Sequence, residues 1–122
     1  MPSKVVHWEL MGQDADALAE FYRGIFDWQT QAAEGFDGYY TVSAEQTGVG
    51  GAVGKGFEHM PSYLTIYLEV DSIDEHLGKI EGAGGKTVMP RTVIPGTVTF
   101  ALFNDPAGNL VGLVEAATPA AE

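Results

Sequence analysis

The sequence predicts an α+β protein of two β-α-β-β-β modules, whose curved sheets surround a cavity and carry their helices on the convex sides. Three observations predict it. A strand-then-helix pattern is written twice: Val5-Val6-His7-Trp8-Glu9-Leu10 is answered about 58 residues later by Leu64-Thr65-Ile66-Tyr67-Leu68-Glu69-Val70. A spacing near half the chain marks a duplicated unit, because a solenoid needs at least about three repeats. Both strands alternate with period two, and each is followed by a capped segment with apolar residues at helical spacing. At 122 residues the chain is expected to form one domain with a sizeable core. Module one is expected over about 4–54, a linker over about 54–62 and module two over about 63–116.

The first strand puts Val6, Trp8 and Leu10 on one face and Val5, His7 and Glu9 on the other. Asp14 is a good N-cap for the first helix. Leu18, Phe21, Tyr22 and Ile25 then recur at i, i+3, i+4 and i+7, predicting one apolar stripe against the sheet. The helix is expected to stop near Asp27, with Trp28 opening the exit strand. Tyr39 to Val42 reads as a strand, and so does Gly48 to Val53. The glycines in the latter suggest a bulge or a close backbone approach.

The linker ends at Pro61, and the next strand alternates most clearly. Leu64, Ile66, Leu68 and Val70 form its apolar face; Tyr63, Thr65, Tyr67 and Glu69 form the other. Ser72-Ile73-Asp74-Glu75 reads as a capping box opening the second helix. Ile73, Leu77 and Ile80 are its buried stripe, and Gly84-Gly85 ends it. Val98 to Phe103 is a strand, 104–109 a turn, and Leu110 to Glu115 the last strand. Residues 116–122 are expected to fray.

Composition removes several classes of function. Hydrophobic content of 45% with 19% charged residues fits a folded globular chain, not a disordered one. Without cysteine there is no disulfide, thiolate nucleophile or thiolate metal site. No apolar run approaches the roughly 18 residues of a membrane span. Met1-Pro2-Ser3-Lys4 leads into a strand with no apolar signal region, so the expected compartment is the cytoplasm. A net charge of −11 argues against nucleic acid and anionic membranes as partners. It favours neutral or cationic ligands, and it also simply keeps a protein in solution. The glycines around Gly48 and Gly51 do not form a phosphate loop.

Four segments carry a family resemblance. Asp14-x6-Phe21-Tyr22-Arg23-Gly24-Ile25-Phe26-Asp27-Trp28 resembles the first-helix signature of the vicinal oxygen chelate superfamily. Its members include glyoxalase I, bleomycin-resistance proteins, extradiol dioxygenases and fosfomycin-resistance enzymes. Val70-Asp71, Gly84-Gly85 and Asp105-Pro106-x-Gly108-Asn109 resemble its second-half signatures. None is specific alone; together, in order, they cover nearly the whole chain. Asp27 stands where the family often has glycine, and Asp tolerates a left-handed turn better than most residues.

The resemblance implies the glyoxalase/bleomycin-resistance/dioxygenase fold, a small-molecule ligand and a homodimer. It also assigns family metal positions to His7, Thr65, Gly112 and one of Gly51 or Ala52. Only His7 offers a good ligand, so the usual metal and any cofactor are expected to be absent. The fold alone does not name a chemistry. Three readings stand: a protein binding a small, partly apolar organic molecule; a glyoxalase I-type metal-dependent lyase or isomerase; and a metal-independent enzyme.

His7 and Glu9 share a strand face, so an imidazole and a carboxylate are expected side by side. They are the candidate catalytic residues, as a general acid/base pair. Opposite charges within reach would hold Glu9 ionised and His7 protonated. The plainer alternative is a polar cavity wall. His7, Glu9, Thr65, Tyr67, Glu69 and Gly112 are the candidate ligand-binding residues, and a makeshift metal site from His7, Glu9 and Glu69 stays open. Trp28, Tyr39, Tyr40, Phe100 and Phe103 supply aromatic surface, roughly half of it for packing alone. His76 is expected to be exposed on the second helix.

Overall fold

The structure, a computed structural model, describes residues 2–116. The expected frayed tail therefore lies, apart from its first residue, outside the described residues. The elements are β1 (Val5–Gly12), α1 (Ala15–Phe26), β2 (Gln31–Ala32), β3 (Tyr39–Val42), α2 (Ala44–Thr47), β4 (Gly51–Lys55), β5 (Tyr63–Val70), α3 (Ile73–Gly82), β6 (Lys86–Ile94), β7 (Val98–Asn104) and β8 (Leu110–Glu115). Apart from the one-turn α2, the pattern β-α-β-β-β occurs twice. The strand orders agree as well, β2-β3-β4-β1 in the first module and β5-β8-β7-β6 in the second. In each, the first strand runs parallel to the last and the other pairs are antiparallel. The α+β class and the duplication are as the sequence predicts.

By its contacts the chain divides into two compact units, one from Val6 to Ile66 and the other joining residues 2–5 to 67–116. The first contains α1. Asp14 caps that helix by accepting from the Ala17 N–H at 3.0 Å. Asp27 ends it in the left-handed region at φ 60°, its N–H donating to the Arg23 carbonyl at 3.1 Å.

The predicted helix stripe needs correction. Ala15 and Ala19 are buried and Leu18 and Tyr22 half-buried, whereas Phe21 is 54% and Ile25 57% exposed. The inward stripe is Ala15-Leu18-Ala19-Tyr22, with the same i, i+3, i+4, i+7 spacing shifted by one turn. Its alanines let the helix lie close on the sheet, and counting only large apolar residues conceals them.

The second unit holds a core of Val70, Ile73, Leu77, Ala101, Phe103 and Leu113, with Leu68, Ile80 and Val111 packed against it. Burying each of its Val, Leu, Ile and Phe side chains contributes about 1.5–3 kcal/mol. Ser72 Oγ accepts from the Glu75 N–H at 3.2 Å, while the Glu75 carboxylate lies 3.6 Å from Lys79. The Ile73 N–H donates to Glu115 Oε2 at 3.0 Å, and Arg91 grips the same carboxylate with Nε and Nη2, each at 2.9 Å. Arg91 and the helix N–H together hold the Glu115 carboxyl down at about 2.

Two further expectations change. Leu68 and Val70 pack inward as predicted, but Leu64 and Ile66, on the same strand face, are exposed. Alternation fixes the side to which a residue points, not what covers it. His76 is half-buried, because its Nδ1 donates to the Ser72 carbonyl at 2.8 Å. Among the described residues, no helix is long and apolar enough to cross a membrane.

Candidate functional site

β1 divides its side chains between two surfaces. Trp8 and Gly12 face α1: the Trp8 indole packs on Trp28, and a Cβ at Gly12 would lie 3.1 Å from Leu18. His7, Glu9 and Met11 therefore project from the opposite face. β3 and β4 bring Tyr39 to that same face, since Tyr39 and Met11 are both register partners of Gly54.

There Tyr39 stands between the two predicted residues. Its hydroxyl donates to Glu9 Oε2 at 2.6 Å, and its oxygen lies 2.8 Å from His7 Nε2. With the phenol proton directed at Glu9, neutral His7 must supply Nε2–H to the phenol oxygen. The direct His7–Glu9 separation is 4.0 Å. The sequence reading placed these two side by side and counted Tyr39 among the aromatic surface, without joining it to them. Tyr39 is 32 residues from His7, so only the strand register could have revealed it.

The electrostatics also differ from expectation. Glu9 is 7% exposed. Burial pushes His7 below its ordinary value, and the nearby Glu9 charge only partly opposes this. His7 is thus held neutral, not protonated, because desolvating the imidazolium outweighs the attraction. Burial, the Glu9 charge and the hydrogen bond to it raise Tyr39 well above a normal phenol. Burial and Glu9 raise Tyr63 in the same way. Both phenols remain donors at any ordinary pH.

Aromatic rings extend this surface. Phe36 packs on Tyr39 with centroids 5.7 Å apart. Phe57 stacks nearly parallel on Tyr63 at 6.0 Å, and exposed His59 stacks on Phe57 at 5.9 Å. Phe36, Phe57 and Tyr63 were not among the predicted site residues, although Tyr63 shares the Thr65 strand face.

The remaining candidates fall out as follows. Thr65 is buried, with its hydroxyl 3.3 Å from the Ile66 carbonyl. In the second unit Tyr67 is buried and lies flat over its register partner Gly112, where a Cβ would come within 2.3 Å of the ring. Glu69, placed inward by alternation, is exposed instead, and its backbone N–H donates to the Lys4 carbonyl at 3.0 Å.

The donors at the family's metal positions do not fit a divalent ion. His7 offers one imidazole, already engaged with Tyr39. Thr65 offers a hydroxyl, Ala52 pairs with Glu9 and offers nothing, and Gly112 lies under the Tyr67 ring. Among the described residues, no group of three or more His, Asp or Glu side chains is placed to hold a metal. A polar depression of about 430 Å³ opens elsewhere, beside Asp14, Asp16, Tyr40 and Lys55. Its carboxylates already serve the fold: Asp14 caps α1 and Asp16 accepts from the Tyr40 hydroxyl.

A duplicated β-α-β-β-β fold of this strand order defines a class, and comparison with known proteins places the chain within it. Residues 4–113 match the model of the Glyoxalase/Bleomycin resistance protein/Dioxygenase superfamily, and the chain belongs to that superfamily. It is 28% identical to an anthracycline biosynthesis protein of Streptomyces peucetius, over 88% of this chain and 45% of that protein. The chain thus spans less than half the length of that relative. Among solved structures, it resembles a hypothetical protein of Bacillus halodurans C-125, with a TM-score of 0.69 and 14% identity over 98% of this chain and 99% of the other. A glyoxalase/bleomycin resistance protein/dioxygenase superfamily member from Vibrio splendidus 12B01 gives a TM-score of 0.64 at 14% identity, over 93% and 99%. At such identities these structures speak for the fold alone.

Proposed function

We propose that this domain binds a small, partly apolar organic molecule against the face of the first-module sheet that carries Glu9, and that it does so without a divalent metal. The observation that carries the reading is the hydrogen-bonded chain His7–Tyr39–Glu9, buried at Glu9 and half-buried at the other two, edged by the rings of Phe36 and Tyr63. Apolar walls with a few placed polar groups are what a small-molecule site needs. The aromatic rings supply contact area, and the hydrogen-bonded carboxylate fixes orientation. The relative from anthracycline biosynthesis supports a polycyclic or otherwise aromatic organic ligand.

A metal-independent enzyme is the second reading, favoured by the same chain. A carboxylate hydrogen-bonded to a phenol, itself backed by a neutral imidazole, can accept a proton at Glu9 and donate one from Tyr39. The donor set described above disfavours a glyoxalase I-type metal mechanism.

The test begins with a ligand found by thermal-shift screening of aromatic natural products. Glu9→Gln and Tyr39→Phe should each weaken its binding by about 10-fold or more, an effect expected when a buried charge-assisted hydrogen bond is lost. Circular dichroism should show both variants folded. Undiminished affinity in both would remove the site from this face. Consumption of the ligand by the parent protein, lost in Glu9→Gln, would select the enzyme reading.

A further inference from the structure

We propose that Tyr63 selects the ligand of the Glu9 site: its hydroxyl donates to a neutral carbonyl oxygen borne on an aromatic ring, so that the site favours an aryl ketone and turns away an aryl carboxylate. The inference rests on the reading that this face of the first-module sheet binds an organic molecule, and it names the chemical class of that molecule.

The charge of Glu9 acts on two phenols, Tyr39 and Tyr63, and they are placed differently. The Tyr39 proton is committed to Glu9 Oε2, and its oxygen to His7 Nε2. The Tyr63 side chain is half-buried. Among the described residues its hydroxyl has no hydrogen-bond partner, and water still reaches it. It is therefore the donor at this edge of the site that a ligand can engage without breaking a bond within the chain.

That donor is oriented in advance. Tyr63 opens β5, and the Phe57 ring stacks on it with 4° between the planes and 6.0 Å between centroids. Phe57 is fixed in turn: its N–H donates to the Met60 carbonyl at 3.1 Å, and its carbonyl accepts from the Met60 N–H at 3.0 Å. The Gly56 N–H donates to the carbonyl of Gly12, at the end of β1, at 3.1 Å. The strand that carries Glu9 thus anchors the turn that holds Tyr63. A donor fixed before the ligand arrives loses little freedom when it binds.

Chemistry then chooses the acceptor. A phenol donates well, while its oxygen, conjugated with the ring, accepts poorly, so the ligand must bring the lone pair. Burial and the Glu9 charge both oppose negative charge on the Tyr63 oxygen. The same two effects oppose it on a ligand oxygen set against that hydroxyl, and a chain of net charge −11 adds to them. A ketone oxygen accepts the bond and carries no net charge. Its aromatic ring finds apolar contact at Phe36, which packs on Tyr39.

Equilibrium dialysis with three probes of similar shape tests the inference: 1-acetylnaphthalene, 1-ethylnaphthalene and 1-naphthoate. Tyr63→Phe keeps the ring and its stack and removes one donor. It should lower the affinity for the ketone, relative to that for ethylnaphthalene, by about 5-fold or more, the effect of one hydrogen bond. The parent should hold naphthoate at least about 5-fold more weakly than the ketone, and Glu9→Gln should narrow that gap. Circular dichroism should show both variants folded. An unchanged ratio of ketone to hydrocarbon in Tyr63→Phe overturns the inference. So does a parent that binds naphthoate as well as the ketone, or that binds none of the three. The reading of the face fails separately: it falls when Glu9→Gln and Tyr39→Phe both leave the affinity for every bound probe intact, whatever Tyr63→Phe does.

Discussion

In the first module the helix rests on its sheet through Ala15 and Ala19; in the second it rests through Ile73 and Leu77. The strand order is the same, yet the contents differ. The second module buries a continuous apolar cluster, whereas the first buries Glu9 and ties it to Tyr39 and His7. Even a shared device is used differently. Trp8 lies over Gly51 on the helix side of its sheet, while Tyr67 lies over Gly112 on the side away from α3. The same strand order thus accommodates an apolar cluster in one module and a buried, hydrogen-bonded carboxylate among apolar neighbours in the other.

The sharpest way to break this comparison is through the helices. Ile73→Ala should lower stability by about 2–5 kcal/mol, since Ile73 is wholly buried. Phe21→Ala, at a position 54% exposed, should cost about 0.5 kcal/mol or less in urea melts. Equal losses would mean that α1 packs through its large residues after all. Next come the two glycines. Gly51→Ala and Gly112→Ala should each cost about 1–3 kcal/mol, because the new methyl would press into an aromatic ring. Only Gly51→Ala should shift tryptophan fluorescence, as only it displaces Trp8. A shift from Gly112→Ala would contradict the separation of the two faces.

The smallest effect is in acid, and the modules should respond at different pH. His7 lies below its ordinary 6.5 in the folded state, so the unfolded chain takes up its proton first. That contribution is complete above about 6.5 and is lost as pH falls through the lower folded value. Glu115 is held at about 2 against an ordinary 4.5, so its contribution is complete above 4.5 and disappears as pH falls toward 2. Because water still reaches the Arg91–Glu115 pair at the surface, Glu115→Gln should cost no more than about 1 kcal/mol at pH 7. The His7 ring resonances should titrate below 6.5, and lower still in Glu9→Gln, which removes the one charge that raises them. A rise in that midpoint would show that Glu9 does not act on His7 as described.

Much of the fold was legible because local rules wrote it twice. The caps at Asp14 and Ser72 and the left-handed turn at Asp27 were readable from single residues. β6 escaped, since Lys86-Thr87-Val88-Met89-Pro90 mixes a proline and a charge into an edge strand with shifted register. The site was legible only in part. His7 and Glu9 follow from alternation within one strand, but Tyr39 joins them by a pairing between strands that no local pattern encodes. The direction of the His7 shift was misread because a sequence shows which charges are neighbours and not how much water has been removed around them.

Gly112 has a consequence for how such a chain can evolve. A carboxylate side chain at that position would have to pass through the space that the Tyr67 ring fills. A side chain at residue 112 costs stability unless residue 67 changes with it, and the reverse order leaves a hole over the glycine until the partner changes. The two sites are epistatic by steric necessity. A lineage carrying this pair can place a large side chain at residue 112 only by way of a less stable intermediate.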